Sequence, residues 1–221
     1  MTRLFPLLLS VLFSASPSAP QQPSAPPQPS AAQQSPAAQQ PSATQQPSAR
    51  QMEAVLAKTR PGPEHEALRA LAGRWNQEVT FDMGGPRKMI AKGTATNRLI
   101  LGGRFLVSER TADNPTGAAA GIPTIEAVNI YGFDRRTSEY TILELDSMGT
   151  YWVSAAGPAR PDGAIVMSGE TLDDHSGQRE VRRYDMVLKI VDADTYTTQI
   201  VFKFPDRPNL TIAEAVFRRI R

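Results

Sequence analysis

From residue 75 onward the chain alternates between apolar and polar side chains. Trp75, Val79 and Phe81 stand among Arg74, Asn76, Glu78, Thr80 and Asp82, the two-residue period of a strand with one dry and one wet face. Strand-like runs follow at Lys88 to Thr96, Arg98 to Leu101, Arg104 to Thr111, Ile125 to Phe133, Glu139 to Leu145 and Tyr151 to Ala155. The series continues at Ala164 to Thr171, Glu180 to Val191, Thr195 to Phe204 and Leu210 to Ile220. Short turn segments separate them, among them Gly84-Gly85-Pro86, Gly102-Gly103, Pro161-Asp162-Gly163 and Asp192-Ala193-Asp194, rich in the residues that reverse a chain. Nine or ten consecutive strands with short connections predict an antiparallel meander. An open meander leaves a row of unpaired N–H and C=O groups at each edge, and no helix remains in the sequence to cover them. Closing the sheet removes both edges, so the expected fold is all-β, an antiparallel up-and-down barrel of about nine or ten strands.

One helix precedes the strands. Gly62-Pro63-Glu64-His65-Glu66-Ala67-Leu68-Arg69-Ala70-Leu71-Ala72-Gly73 carries proline at its start, acids in its first turn and glycine past its end. Ala67, Leu68 and Leu71 share a face, so this helix should lie against something apolar. Gln51 to Lys58 reads as one or two further helical turns.

The segment before residue 51 has a different character. Met1 to Arg50 contains two charged residues, Arg3 and Arg50. Arg3, the apolar run Leu4 to Phe13 and a Ser/Ala-rich exit give a secretory signal peptide over residues 1–18. The run is shorter than the ~20 residues that span a bilayer, so no transmembrane domain is expected in the mature protein. Residues 19–50 repeat the unit "QQPSA" at Gln21, Gln39 and Gln45; with almost nothing apolar to bury, they should form a disordered, proline-stiffened linker. Residues 51–221 then form the barrel domain. The chain's 24 basic residues less Arg3 and Arg50 leave 22 in that domain, against 22 acidic ones. A balanced domain gives no electrostatic footprint for nucleic acid, which is not expected as a partner. Cysteine is absent, which excludes disulfides, thiolate metal sites and thiol nucleophiles. The expected location is outside the cytoplasm, periplasmic or secreted.

The order helix, Gly73, Trp75, first strand resembles the lipocalin-like (calycin) superfamily. That resemblance implies a helix that plugs one barrel end, a glycine that lets the chain turn into the strand, and a tryptophan that covers the floor. It also implies a basic residue of the last strand over the indole face. Alternation along Leu210, Ile212, Val216 and Ile220 would turn Arg218 inward, whereas the resemblance favours Arg219. More closely, the chain is similar to one bacterial family, the domain of unknown function family 1579. The similarity is carried by "PEHEALRALAGRW" (Pro63 to Trp75), "GTATNRLILGGRFLVSE" (Gly93 to Glu109), "YGFD" (Tyr131 to Asp134), "LDSMGT" (Leu145 to Thr150), "SGE" (Ser168 to Glu170) and "DADTYT" (Asp192 to Thr197). The leader, the linker and the loop Asp113 to Pro123 lie outside it.

Candidates for chemistry are sparse. His65 stands between two glutamates in the plug helix and His175 in a turn; two distant histidines do not make a zinc site, and no metal or cofactor is expected. Serine hydrolysis lacks its glycine-x-serine-x-glycine elbow around Ser147. Arg98 and Glu109 flank the Gly102-Gly103 turn; they are either polar anchors for a ligand inside the barrel or a salt bridge between neighbouring strands. Glu144 and Asp146 share one strand face, so a carboxylate pair in the interior is possible. The leading expectation is a small, largely apolar ligand bound without catalysis, with Arg98, Glu109, Phe105, Tyr131, Asp146, Tyr184 and Tyr196 at the site and Trp75, Phe81, Met186 and Phe202 as further lining. The alternatives are an isomerase or lyase using Glu109, Asp146 or Glu170 as base, and a solidly packed envelope-associated interaction module. Ala91, Gly93 and Ala95 facing inward would leave room for a guest.

Overall fold

A computed structural model of the chain describes residues 48–82, 86–115, 117, 121–173 and 180–221. The signal segment, most of the linker and His175 lie outside the described residues. Residues Pro47–Arg221 form one compact unit. It begins with helix α1 (Ala49–Lys58), capped at its N-terminus by Ser48 and Gln51 in reciprocal hydrogen bonds, a capping box that satisfies two otherwise idle amides. Helix α2 (His65–Ala70) follows. Ten strands complete the unit: β1 (Gly73–Phe81), β2 (Met89–Ile100), β3 (Phe105–Asp113), β4 (Thr124–Asp134), β5 (Glu139–Asp146), β6 (Trp152–Gly157), β7 (Ile165–Asp173), β8 (Glu180–Asp192), β9 (Thr195–Phe202) and β10 (Leu210–Arg219). Each pairs antiparallel with the next, and β1 pairs with β10, so the sheet closes into an up-and-down barrel. No helix among the described residues is long and apolar enough to cross a membrane.

Two boundaries differ from the sequence expectation. The runs on either side of Asn97 are one strand, β2. Asn97 looks like a break because it is polar, yet it faces inward and donates its amide to the Leu71 carbonyl at 2.8 Å and to the Tyr196 hydroxyl at 3.1 Å. Its amide nitrogen is thereby satisfied within the strand, while its amide oxygen is buried without a partner among the described residues. The linker's last residues, Ala49 and Arg50, belong to α1.

One end of the barrel is packed solid. Leu68 and Leu71 bring α2 down onto Trp75, and all three are buried with Tyr196, Phe217, Leu106 and Tyr131. Tyr196 meets Trp75 edge-on at 4.7 Å between ring centroids and stacks on Phe217 at 4.2 Å, arrangements that suit the ring quadrupoles. The Trp75 indole donates to the Leu71 carbonyl at 2.9 Å. Arg219, the last residue of β10, places its guanidinium 4.1 Å above the Trp75 ring. It donates to the Ala72, Ala70 and Ala193 carbonyls at 2.7, 2.8 and 2.9 Å. Gly73 makes room for this: its φ is +126°, and a Cβ there would lie 2.7 Å from the Arg219 guanidinium, a place and a backbone shape that only glycine accepts readily. Arg218 is exposed on the outer face. Arg219 therefore ties the chain's first strand, its plug and the β8–β9 turn together.

Replacing Arg219 with alanine should lower stability by about 1–3 kcal/mol, since it removes a cation–π contact and three charge-assisted hydrogen bonds to the Ala70, Ala72 and Ala193 carbonyls. The Arg98→Ala change, at an exposed pair, should move it by less than about 0.5 kcal/mol. Urea denaturation of the two variants side by side measures both.

Candidate functional site

The end opposite α2 is open. Inward positions of β1, β3, β4, β5, β8, β9 and β10 converge there on a cavity with two lobes that share Glu144, Asp146, Met186 and Ile200. One lobe, about 140 Å³, is walled by Val79, Phe81, Ala112, Ile125, Ala213 and Ala215. The other, about 170 Å³, is walled by Tyr151, Val153, Leu172, Tyr184, Phe202 and Ile212. Each compares with a cavity that holds one benzene ring. Small side chains on the wall leave the room: Ala112, Ala127, Ala213 and Ala215 line the first lobe, whereas Ala91 and Ala95 are buried and line neither lobe. Gly93 lies between Ala91 and Ala95, and any Cβ there would collide with the backbone of Thr111.

A polar cluster forms the cavity floor. Arg110, on the inward face of β3, donates through Nη2 to Asn129 Oδ1 at 2.9 Å and to Glu144 Oε2 at 3.4 Å. Asn129, fully buried on β4, donates to the same Glu144 oxygen at 2.7 Å and to the Tyr131 hydroxyl at 3.3 Å. The Arg110 and Glu144 side chains retain 14% and 12% of their exposure, so the pair is largely shielded from solvent and neither charge is tolerable there without the other. Burial opposes the charge on Arg110, but Glu144, followed by Tyr131, Tyr196 and Asp146, outweighs it and holds the guanidinium pKa above its ordinary value. Three lining residues carry a buried polar atom without a partner among the described residues: Gln77 Oε1, Arg110 Nε and the Tyr184 hydroxyl. Such orphans cost about 1–3 kcal/mol each, and here they gather around one cavity.

The residues expected at the site divide into three groups. Tyr184 and Asp146 line the cavity, as do Phe81, Met186 and Phe202. Tyr131 and Tyr196 lie deeper, within the packed end. Arg98, Glu109 and Phe105 are corrections: they are on the outside. Arg98 and Glu109 form a cross-strand salt bridge at 3.2 Å with both side chains more than half exposed, and the Phe105 ring packs over Gly132 on the outer face. Glu170, an alternative base, likewise pairs outside with Arg183 at 3.2 Å. The reason is parity. In β3, Leu106, Ser108, Arg110 and Ala112 point inward, so Phe105 and Glu109 cannot. His65 is buried and accepts the Gly62 amide at Nδ1, 3.1 Å away, beside the edge of Phe133. Among the described residues no group of histidine and carboxylate side chains could hold a metal.

Burial first, then the Glu144 charge, pushes the Tyr184 hydroxyl up to about 12, and burial also raises Tyr131 and Tyr196. Between the ordinary tyrosine pKa of about 10 and these raised values the folded protein holds protons that the unfolded chain has lost. Stability is therefore fully present below about 10 and falls as pH rises through the folded value. Alkaline unfolding followed by tyrosinate absorbance should show this loss, and Tyr184→Phe should reduce its slope.

The comparisons with known proteins concern the same unit. A solved structure described as the de novo design of a fluorescence-activating beta barrel is similar with a TM-score of 0.38 and 16% identity, over 70% of this chain and 97% of that one. No curated protein matches the sequence. The family model described as "Protein of unknown function (DUF1579)" matches residues 60–219, from the residues that lead into α2 to the end of β10. The chain belongs to the DUF1579 family of proteins of unknown function.

Proposed function

We propose that the protein is an exported, lipocalin-like (calycin) barrel that binds a small, largely apolar molecule at its mouth without transforming it. The observation that carries this reading is the conjunction of an apolar two-lobed cavity with unpartnered polar atoms on Gln77, Arg110 and Tyr184. A ligand with one polar head and an apolar body satisfies both, since its head offsets the cost of the orphans and its body removes apolar wall from water. Export rests on the leader.

Charge narrows the head group. The charged residues that line the cavity are Arg110, Glu144 and Asp146, one cation against two carboxylates. A carboxylate ligand would add a third negative charge in a poorly screened space, so the favoured head is neutral or cationic, an alcohol, amide or amine.

N-phenyl-1-naphthylamine, a neutral apolar dye, should bind the full chain with increased fluorescence. Dodecan-1-ol and dodecylamine should displace it better than dodecanoate. Absence of dye binding would sink the binding reading, and dodecanoate as the best competitor would overturn the head-group assignment. Arg110→Met alone should destabilise the fold by about 3–5 kcal/mol, because it strands Glu144. The double variant R110M/E144Q should recover most of that stability and still bind the alcohol at least about tenfold more weakly, a loss of ~1.4 kcal/mol.

A further inference from the structure

The barrel has a weak seam. Between β6 and β7 the strand register consists of Ala155 opposite Gly169 and Ala156 opposite Ser168. Toward the plugged end it is extended by the Val166 amide, which donates to the Pro158 carbonyl at 3.2 Å, and by a bridge between Ala159 and Ile165. Toward the mouth it stops. Among the described residues, Trp152, Val153 and Ser154 of β6 have no register partner on β7, and Glu170, Thr171 and Leu172 of β7 pair with β8 alone. Every other neighbouring pair in the barrel carries six or more register partners. A closed barrel exists to leave no open edge, so a seam that parts at one end calls for an occupant.

The seam parts where the larger lobe lies. Tyr151, Val153, Thr171 and Leu172 border the gap and also line that lobe. Outside, Trp152 is 67% exposed and Leu172 44%, with Leu145 on the outer face directly opposite Trp152. Apolar side chains thus stand on both sides of the gap, Tyr151 and Val153 at the lobe and Trp152, Leu172 and Leu145 outside, with Ser154, Glu170 and Thr171 on its rim.

We infer that the β6–β7 slit is a side portal that accommodates the tail of an elongated single-chain amphiphile whose head lies at Arg110 and Glu144. This inference rests on the binding reading above and adds to it a ligand class and a route of entry. A molecule confined to the two lobes stops gaining affinity once they are filled. A molecule threading the slit continues to gain, by up to about fourfold per methylene that leaves water.

Hydrogen exchange tests the slit without any ligand. In the full chain, the amides of 152–154 and 170–172 that do not bond β5 or β8 should exchange far faster than the interior amides of β1 to β3. Uniform protection across both segments would overturn the proposal. The absence of native cysteine allows a direct closure experiment with the double variant S154C/E170C, whose positions continue the Ala155–Gly169 register. Displacement of N-phenyl-1-naphthylamine by linear alcohols from octan-1-ol to hexadecan-1-ol gives the readout. In the wild type and the reduced variant, affinity should rise beyond decan-1-ol. In the oxidised variant it should level off there, and dye release should slow at least tenfold. Equal chain-length profiles and release rates in the oxidised and reduced states would overturn the portal while leaving the binding reading intact. Failure of the dye to bind the wild type would instead remove the binding reading itself.

Discussion

Ten strands enclose more space than a small barrel can fill with its own side chains. Eight strands give an interior just wide enough for packing, and diameter grows with strand number. The protein deals with the surplus differently at its two ends. At one end α2, Trp75 and the stacked Tyr196 and Phe217 rings occupy it, with Arg219 holding the assembly from below. At the other end Ala112, Ala127, Ala213 and Ala215 face inward and the space stays open. The polar cluster of Arg110, Asn129, Glu144 and Tyr131 lies at the border between these halves. It is the floor of one half and the ceiling of the other.

The fold was legible in the sequence because every strand obeys the same period and every connection carries turn chemistry. The signal for closure was indirect, the lack of any element to cover an edge, and it was sufficient. The site was less legible. Alternation divides each strand into two sets but does not say which set is inside, and in β3 the choice falls between Glu109 and Arg110, one residue apart. The Gly-turn context made Arg98 and Glu109 conspicuous, yet they belong to the wet parity. A cross-strand argument reaches the right arginine: Trp75 must be inside, Ala95 lies opposite Trp75, and Arg110 lies opposite Ala95. That chain of inference needs the register, which loop lengths alone leave open by a residue or two. Glu144 and Asp146, by contrast, were recognisable as a same-face pair from their spacing alone.

Asn97 shows how a buried polar residue misleads. In sequence it divides a run of strand; in the structure it links the plug to the barrel wall by donating to both Leu71 and Tyr196. A polar side chain at an interior position is costly without partners and specific with them, and the partners come from 26 and 99 residues away in the chain. Local pattern cannot register contacts of that range.

The pairing of β1 with β10 has a temporal consequence. Trp75 waits for Arg219, 144 positions later, before the first strand gains its second neighbour. Folding that depends on so distant a contact is slow, because most of the chain must be ordered before closure rewards it. During synthesis the growing meander keeps both its edges unsatisfied until the final strand emerges. A chain that stops before β10 therefore has nine strands and no barrel.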